Sequence, residues 1–198
     1  MQLTKADLVE SASRLRRPTL TASADYARRR DAMAAELIRS LLERPDIDGL
    51  IGPGNRERLI NNSRNMVNFM GSLFGEFEPV VLAETALWSF GVYRSYGFQD
   101  SFWAVSLETA VMVLREQLPA ESFASIHPCF DWMIVRQPGF AGLIDAGWPQ
   151  DPDAQATSIL NETAGAGDQT FPSDDARRQK TFLEAHYTLG AGGHSMVT

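Results

Sequence analysis

His127 and Cys129 are the imidazole and thiol that lie nearest one another in this chain. An imidazole beside a thiol is the beginning of a nucleophilic site, because the ring can take the thiol proton. On one helix, though, a spacing of two turns side chains in different directions, so the pair does not assemble. A zinc centre needs Cys and His in a cluster. One Cys and three His (His127, His186, His194) supply none. The Glu-x-x-His pairs of a di-iron bundle are absent. Glu76 and Glu78 flank a corner, where carboxylates more often cap helices than share a proton. The run Gly52-Pro53-Gly54-Asn55 has neither the GxGxxG nor the GxxxxGK[ST] spacing of a phosphate loop. Hydrolytic, metal and phosphate chemistry are therefore not expected, and the chain is read as a non-enzyme.

Residues suited to binding are easier to find. Asn61, Asn62, Asn65 and Asn68 interrupt an otherwise apolar stretch. Asn is a mediocre helix former, so four in eight residues make either a polar flank or a set of hydrogen-bonding groups turned into a cavity. Glu84 follows Val80 by four and precedes Trp88 by four, which places a carboxylate on or beside an apolar helical stripe. Such a carboxylate must be paired, hydrated or protonated; Arg58 or Arg64 are the expected partners, and a ligand contact is the alternative.

The elements that carry these residues are helical, and no stretch alternates as a strand does. A short helix is expected over 5–15, capped by Thr4 with Asp7 in its first turn and stopped by Pro18. Leu3, Leu8 and Leu15 give it too little apolar surface for a core of its own, so it must pack elsewhere, with a second subunit as one candidate. Residues 23–44 carry Tyr26, Met33, Leu37, Ile38, Leu41 and Leu42 at spacings of three and four. Residues 45–55 read as a plain connection. Further helices are expected over 56–74, 79–94 and 100–117. One more runs from Pro119 through Ile134, with a kink near Pro128. Beyond Pro138 the periodicity fails. The reading is a helical domain over 1–140 and an irregular tail over 141–198, with a short helix at 174–187.

The totals agree with this. The chain has 198 residues, 44% hydrophobic and 22% charged, with a net charge of -7, a globular composition with no broad nucleic-acid footprint. Two basic clusters, Arg14, Arg16, Arg17 and Arg28, Arg29, Arg30, read as solvated faces or partner contacts. A single Cys forms no internal disulfide. The first residues, MQLTKADLVE, lack the apolar core of a signal peptide, and no apolar run reaches the ~20 residues of a membrane span. A cytoplasmic location is expected.

The corner YGFQDSFW and the run LREQLPAESFASIHPCFDWMI resemble the last three helices of a globin. With the helices over 23–44 and 56–74 in the earlier places, the resemblance covers residues 23–137 and implies an all-α, globin-like bundle with an N-terminal helical extension. A haem globin places a histidine just before this corner; here Val92 or Tyr93 stands there. The chain is thus similar to the haem-free sensor globins of bacterial signalling, in which the extension and a core helix build a homodimer and some members hold a fatty acid in the vacated cavity. Phycobiliproteins share the fold, but Cys129 lies in the last helix, which gives no support for a bilin. What the resemblance implies is a sensory or regulatory domain with no cofactor, a small apolar ligand such as a fatty acid, a second copy of itself and a signalling protein as partners. The expected cavity lies between the helices over 56–74, 79–94 and 100–117. Phe69, Leu73, Trp88, Val92, Tyr93 and Trp103 line it, with Asn65 and Glu84 as polar contacts. Two alternatives stand beside this reading: a tetrapyrrole protein with Tyr93 as phenolate ligand to iron, and a ligand-free adaptor whose interior Trp88 and Trp103 fill.

Overall fold

The computed structural model describes residues 3–148. Eight helices make up this part of the chain: α1 (Lys5–Ala12), α2 (Leu20–Leu42), α3 (Ile47–Ile51), α4 (Arg56–Gly75), α5 (Pro79–Ser95), α6 (Asp100–Gln117), α7 (Ala120–Val135) and α8 (Gln137–Asp145). No strand occurs among the described residues, and the class is all-α. A first compact unit closes at Trp148. The boundary expected at residue 140 falls inside α8, and the helix expected over 174–187 lies outside the described residues.

The first helix begins as its sequence dictates. Thr4 Oγ1 accepts from the Asp7 amide at 3.2 Å, and Asp7 Oδ2 accepts from the Thr4 amide at 2.8 Å, a reciprocal capping box that satisfies two free donors of the first turn. The helix stops at Ala12, short of the expected Leu15. It packs on another element, as expected, and that element is α5 of the same chain: Leu8 and Ala12 are 1% and 0% exposed.

The central rod is α2, which lies against α4, α6 and α7. Tyr26, Met33, Leu37 and Leu41 form its buried stripe, as their spacing predicts. Tyr26 crosses to α4, where its hydroxyl donates to the Val67 carbonyl at 3.1 Å and its ring meets Phe74 edge-on at 5.0 Å. The stretch 45–55, expected as a plain connection, holds the short helix α3. Ile47 and Ile51 anchor it at 1% and 0% exposure. Asn55 then turns inward, its Nδ2 donating to the carbonyls of Ile51 at 2.7 Å and Tyr96 at 2.8 Å. That one amide ties the α3–α4 corner to the end of α5. Gly52 sits at φ 75, and a Cβ there would come within 3.2 Å of the Gly97 carbonyl oxygen, so the two corners approach each other closely. Pro128 lies inside α7, which continues to Val135.

A polar contact also fixes the angle between α2 and α7. Asp25 is 5% exposed. It accepts from Ser122 Oγ in the first turn of α7 at 2.5 Å and pairs with Arg28, with Arg29 at 4.0 Å. The Ser122 hydrogen bond, followed by the Arg28 guanidinium, holds the Asp25 carboxyl below the usual carboxylate range. A carboxyl depressed in the folded state contributes stability above its unfolded pKa of about 4 and loses it as pH falls through the lowered value. The native chain should therefore weaken to urea below about pH 4, and Asp25→Asn should make that acid limb shallower while Asp7, Glu36, Asp46 and Asp48, also depressed, keep part of it. Urea midpoints measured from pH 2 to 7 check this; an unchanged acid limb in the variant would contradict it.

Candidate functional site

The α5 helix carries most of the residues expected to bind, and its register decides where they go. Its buried face is Leu82, Ala83, Ala86, Leu87, Phe90 and Gly91. Three of these are small. They let neighbouring helices approach closely, and apolar bulk alone does not reveal them. Of the stripe expected from Val80, Val81, Leu87, Trp88 and Val92, Leu87 is buried at 1% exposure, whereas Val80 is 44% exposed and Val81, Trp88 and Val92 are half-buried.

The expected site residues consequently divide. Leu73 is buried in the core at 4% exposure, while Asn65 and Phe69 are half-buried on α4. The main neighbour of α4 is α2, and α5 packs on α1, α8 and α6. Glu84 is half-buried and pairs with Lys5 Nζ of α1 at 2.6 Å, in place of Arg58 or Arg64. Lys5 also lies 5.0 Å from the centre of the Trp148 ring. Arg58 is occupied at the other end of α5, over the Tyr96 ring at 4.6 Å. Of the eight, Tyr93 and Trp103 do come together, with ring centres 5.8 Å apart.

That pair belongs to an aromatic cluster. Tyr93 stacks on Phe98 at 5.3 Å and meets Phe102 at 5.7 Å. Trp103, 6% exposed, packs edge-on against Phe90 at 5.5 Å and donates its indole N–H to the Met133 carbonyl at 3.2 Å. At the centre stands Phe140 of α8, 0% exposed. Its ring lies 5.9 Å from Trp103, 6.0 Å from Phe90 and 5.9 Å from Trp132. Trp132 in turn donates to Ser11 Oγ of α1 at 3.0 Å. Sequence reasoning missed Phe140 because Pro138 was taken as an end. In the structure it lies in the first turn of α8, where its missing N–H costs nothing, and that placement is the signal that could have found the helix.

Tyr93 is poorly suited to bind iron. A phenolate ligand must lose its proton, and the apolar enclosure by Phe98, Phe102 and Trp103 pushes the Tyr93 pKa well above its ordinary value. Burial likewise pushes the Cys129 thiol up to about 12, which leaves it inert at neutral pH. His127 pairs with Asp131 at 3.0 Å and stacks on Phe123. Among the described residues no three His, Cys, Asp or Glu gather as metal ligands. The basic clusters are largely occupied locally. Arg14 pairs with Glu10, Arg28 with Asp25 and Arg30 with Asp31, and Arg17 donates to the Gly75 carbonyl.

A gap in the core between α2, α4, α6 and α7 is bordered by Tyr26, Met33, Val67, Val113 and Phe130. At about 10 Å³ it is the size of a single water and takes no acyl chain. Among the described residues three buried donors have no protein acceptor: Asn62 Nδ2, Arg136 Nε and Trp148 Nε1. The last two stand just before and just after α8.

Comparison with protein families, with curated proteins and with solved structures returned no match.

The two kinds of expected site residue should differ in weight. Removing the Trp103 ring from the centre of the cluster should cost about 3–5 kcal/mol, whereas Val92→Ala on the half-buried face should cost about 1 kcal/mol or less. Urea denaturation of the two variants checks the ranking; equal losses would place Val92 in the core.

Proposed function

We propose that this chain is a haem-free sensory or regulatory domain that works by recognition and carries out no chemistry of its own. The observation that carries the reading is the fate of the space around Trp103. The resemblance to sensor globins anticipates a ligand cavity beside Trp103, and in this chain Trp103 meets Phe140 of the chain itself. Supporting it, the buried Asp25, Ser122 and Asn55 are all committed to contacts between helices or corners. On this reading the domain acts through a change in helix packing that a small apolar molecule or a protein partner favours, and such a molecule acts only by binding the two packings with different affinity. A second copy and a signalling protein are the partners the resemblance suggests. No helix among the described residues is long and apolar enough to cross a membrane.

A second reading, an adaptor bundle without a ligand, is favoured by the same close packing and by the water-sized gap. Tetrapyrrole binding through Tyr93 is disfavoured by the raised pKa of its phenol.

Purified full-length chain titrated with haemin, with fatty acids of graded length and with small aromatic molecules tests these readings. Free haemin should gain no Soret band of a protein-bound complex; such a band would overturn the haem-free reading. A rise of about 2 °C or more in Tm with an apolar ligand supports recognition, and no rise with any of them transfers the chain to the adaptor reading. Sedimentation across micromolar concentrations decides the homodimer.

A further inference from the structure

The α8 helix is the least self-sufficient of the long-range packing elements. It has nine residues, QPGFAGLID, including one Pro and two Gly, and a helix this short and this rich in Gly does not hold on its own. Phe140 is its one fully buried residue. Ala141, Leu143 and Ile144 also pack on the core, half-buried, and its polar ties lie at the ends. Gln137 Nε2 donates to the Asp100 carbonyl at 2.8 Å, and Asp145 pairs with Arg94 at 2.8 Å, with the Asp145 side chain 64% exposed. An exposed pair of this kind is weak and screened by salt. Arg136 Nε and Trp148 Nε1, buried without protein acceptors at either flank, are donors that undocking would release to water. A short segment with one fully buried ring, three half-buried apolar contacts, end ties open to water and unmet donors at both flanks is the kind that opens locally.

We infer that the recess Phe140 fills is a binding site for a small aromatic molecule, and that α8 is its displaceable occupant. The walls are already built for a ring: Phe90 on α5, Trp103 on α6 and Trp132 on α7 each meet Phe140 at 5.9–6.0 Å between centres, within the range of favourable edge and tilted aromatic contacts. They are carried by three separate helices, the last of which, α7, joins α8 through the shared cap residue Arg136. A phenyl-sized ligand takes the place of the Phe140 ring and favours the packing in which α8 is undocked. An acyl chain has no such ready-made space. This builds on the reading of the chain as a recognition domain, and names the ligand class and the moving part.

The test uses the full-length chain, with benzene and octanoate as probes. In the native protein the amides of α8 should exchange with solvent at least tenfold faster than those of α5, α6 and α7, and benzene should speed exchange in α8 while leaving the others unchanged. Asp145→Asn, which removes one surface tie, should raise α8 exchange further. In Phe140→Ala the vacated recess should bind benzene directly, with a rise in Tm of about 3 °C that octanoate does not reproduce. The inference is overturned if α8 exchanges only as slowly as the core helices, if benzene leaves α8 exchange unchanged, or if a folded Phe140→Ala gains nothing from benzene. The native-protein measurements stand even where that variant does not fold. They are also independent of haemin, fatty acids and partners, so the wider functional reading can fail while this one holds.

Discussion

The constraint on which the arrangement rests is that α5 has almost no polar face. Its sequence, PVVLAETALWSFGVYRS, contains two charged residues, and a helix apolar on nearly every side must be covered on more than one. The chain does this with its own flanking segments. On one side α1 lies against it, sealed by Leu8 and Ala12; α8 and α6 pack on it elsewhere. Both charges of α5 are then used to hold these covers in place. Glu84 takes Lys5 of α1 at 2.6 Å, and Arg94 takes Asp100 of α6 at 2.9 Å and Asp145 of α8 at 2.8 Å. The N-terminal helix and the last described helix are thus the means by which α5 is kept from water.

This account explains which parts of the structure were legible in the sequence. Long helices with a bulky stripe read correctly: α2, α4 and α6 follow from Tyr26, Met33, Leu37 and Leu41, from Leu59, Val67 and Met70, and from Phe102, Trp103 and Leu114, because spacing alone fixes the buried side. The Thr4–Asp7 capping box was legible for the same reason, being local. What spacing cannot show is a face built from absence. The inward side of α5 includes Ala83, Ala86 and Gly91, chosen for closeness, so ranking residues by bulk selects Trp88 and Val92 and turns the helix the wrong way. Two short helices, α3 and α8, were also lost. In α3 the breakers Gly49 and Gly52 dominate the local pattern, and in α8 Pro138, Gly139 and Gly142 do; in both, tertiary anchors (Ile47 and Ile51, and Phe140) override weak propensity. The candidate site was legible in its chemistry, since Tyr93 and Trp103 do meet in an aromatic cluster. It was not legible in its occupant, because the ring that fills it comes from a segment with no periodic signal.

The polar groups divide in a way that bears on what moves. Two of those that join core elements are met twice: Asp25 by Ser122 and Arg28, Asn55 through Ile51 and Tyr96. Breaking either leaves a buried polar atom without a partner, which penalises sliding of α2 on α7 or of the α3 corner on α5. At α8 the balance is reversed, with donors already unmet when it is docked and ties that water can replace. Rearrangement confined to α8 therefore costs less than rearrangement of the rods, and the scaffold of α2, α4, α6 and α7 can stay fixed while the segment covering α5 changes.

A tethered ring in a binding recess also sets the terms on which a free ligand competes. Phe140 is joined to α7 through Arg136, so it is always at hand, and a ligand sees only the fraction of molecules in which α8 is undocked. Its apparent affinity is the intrinsic one reduced by that fraction. Whatever strengthens the docked state raises the concentration at which the site responds, and the Arg94–Asp145 pair is a means of tuning it through Asp145, which stands outside the recess, while Arg94 lies 5.9 Å over the Phe90 ring. Because that pair is exposed, its contribution falls as ionic strength rises. The response threshold is accordingly set by a surface contact on α5 and α8, while the choice of ligand is set by the buried faces of Phe90, Trp103 and Trp132. Affinity and selectivity lie on different residues, so one can change without altering the other.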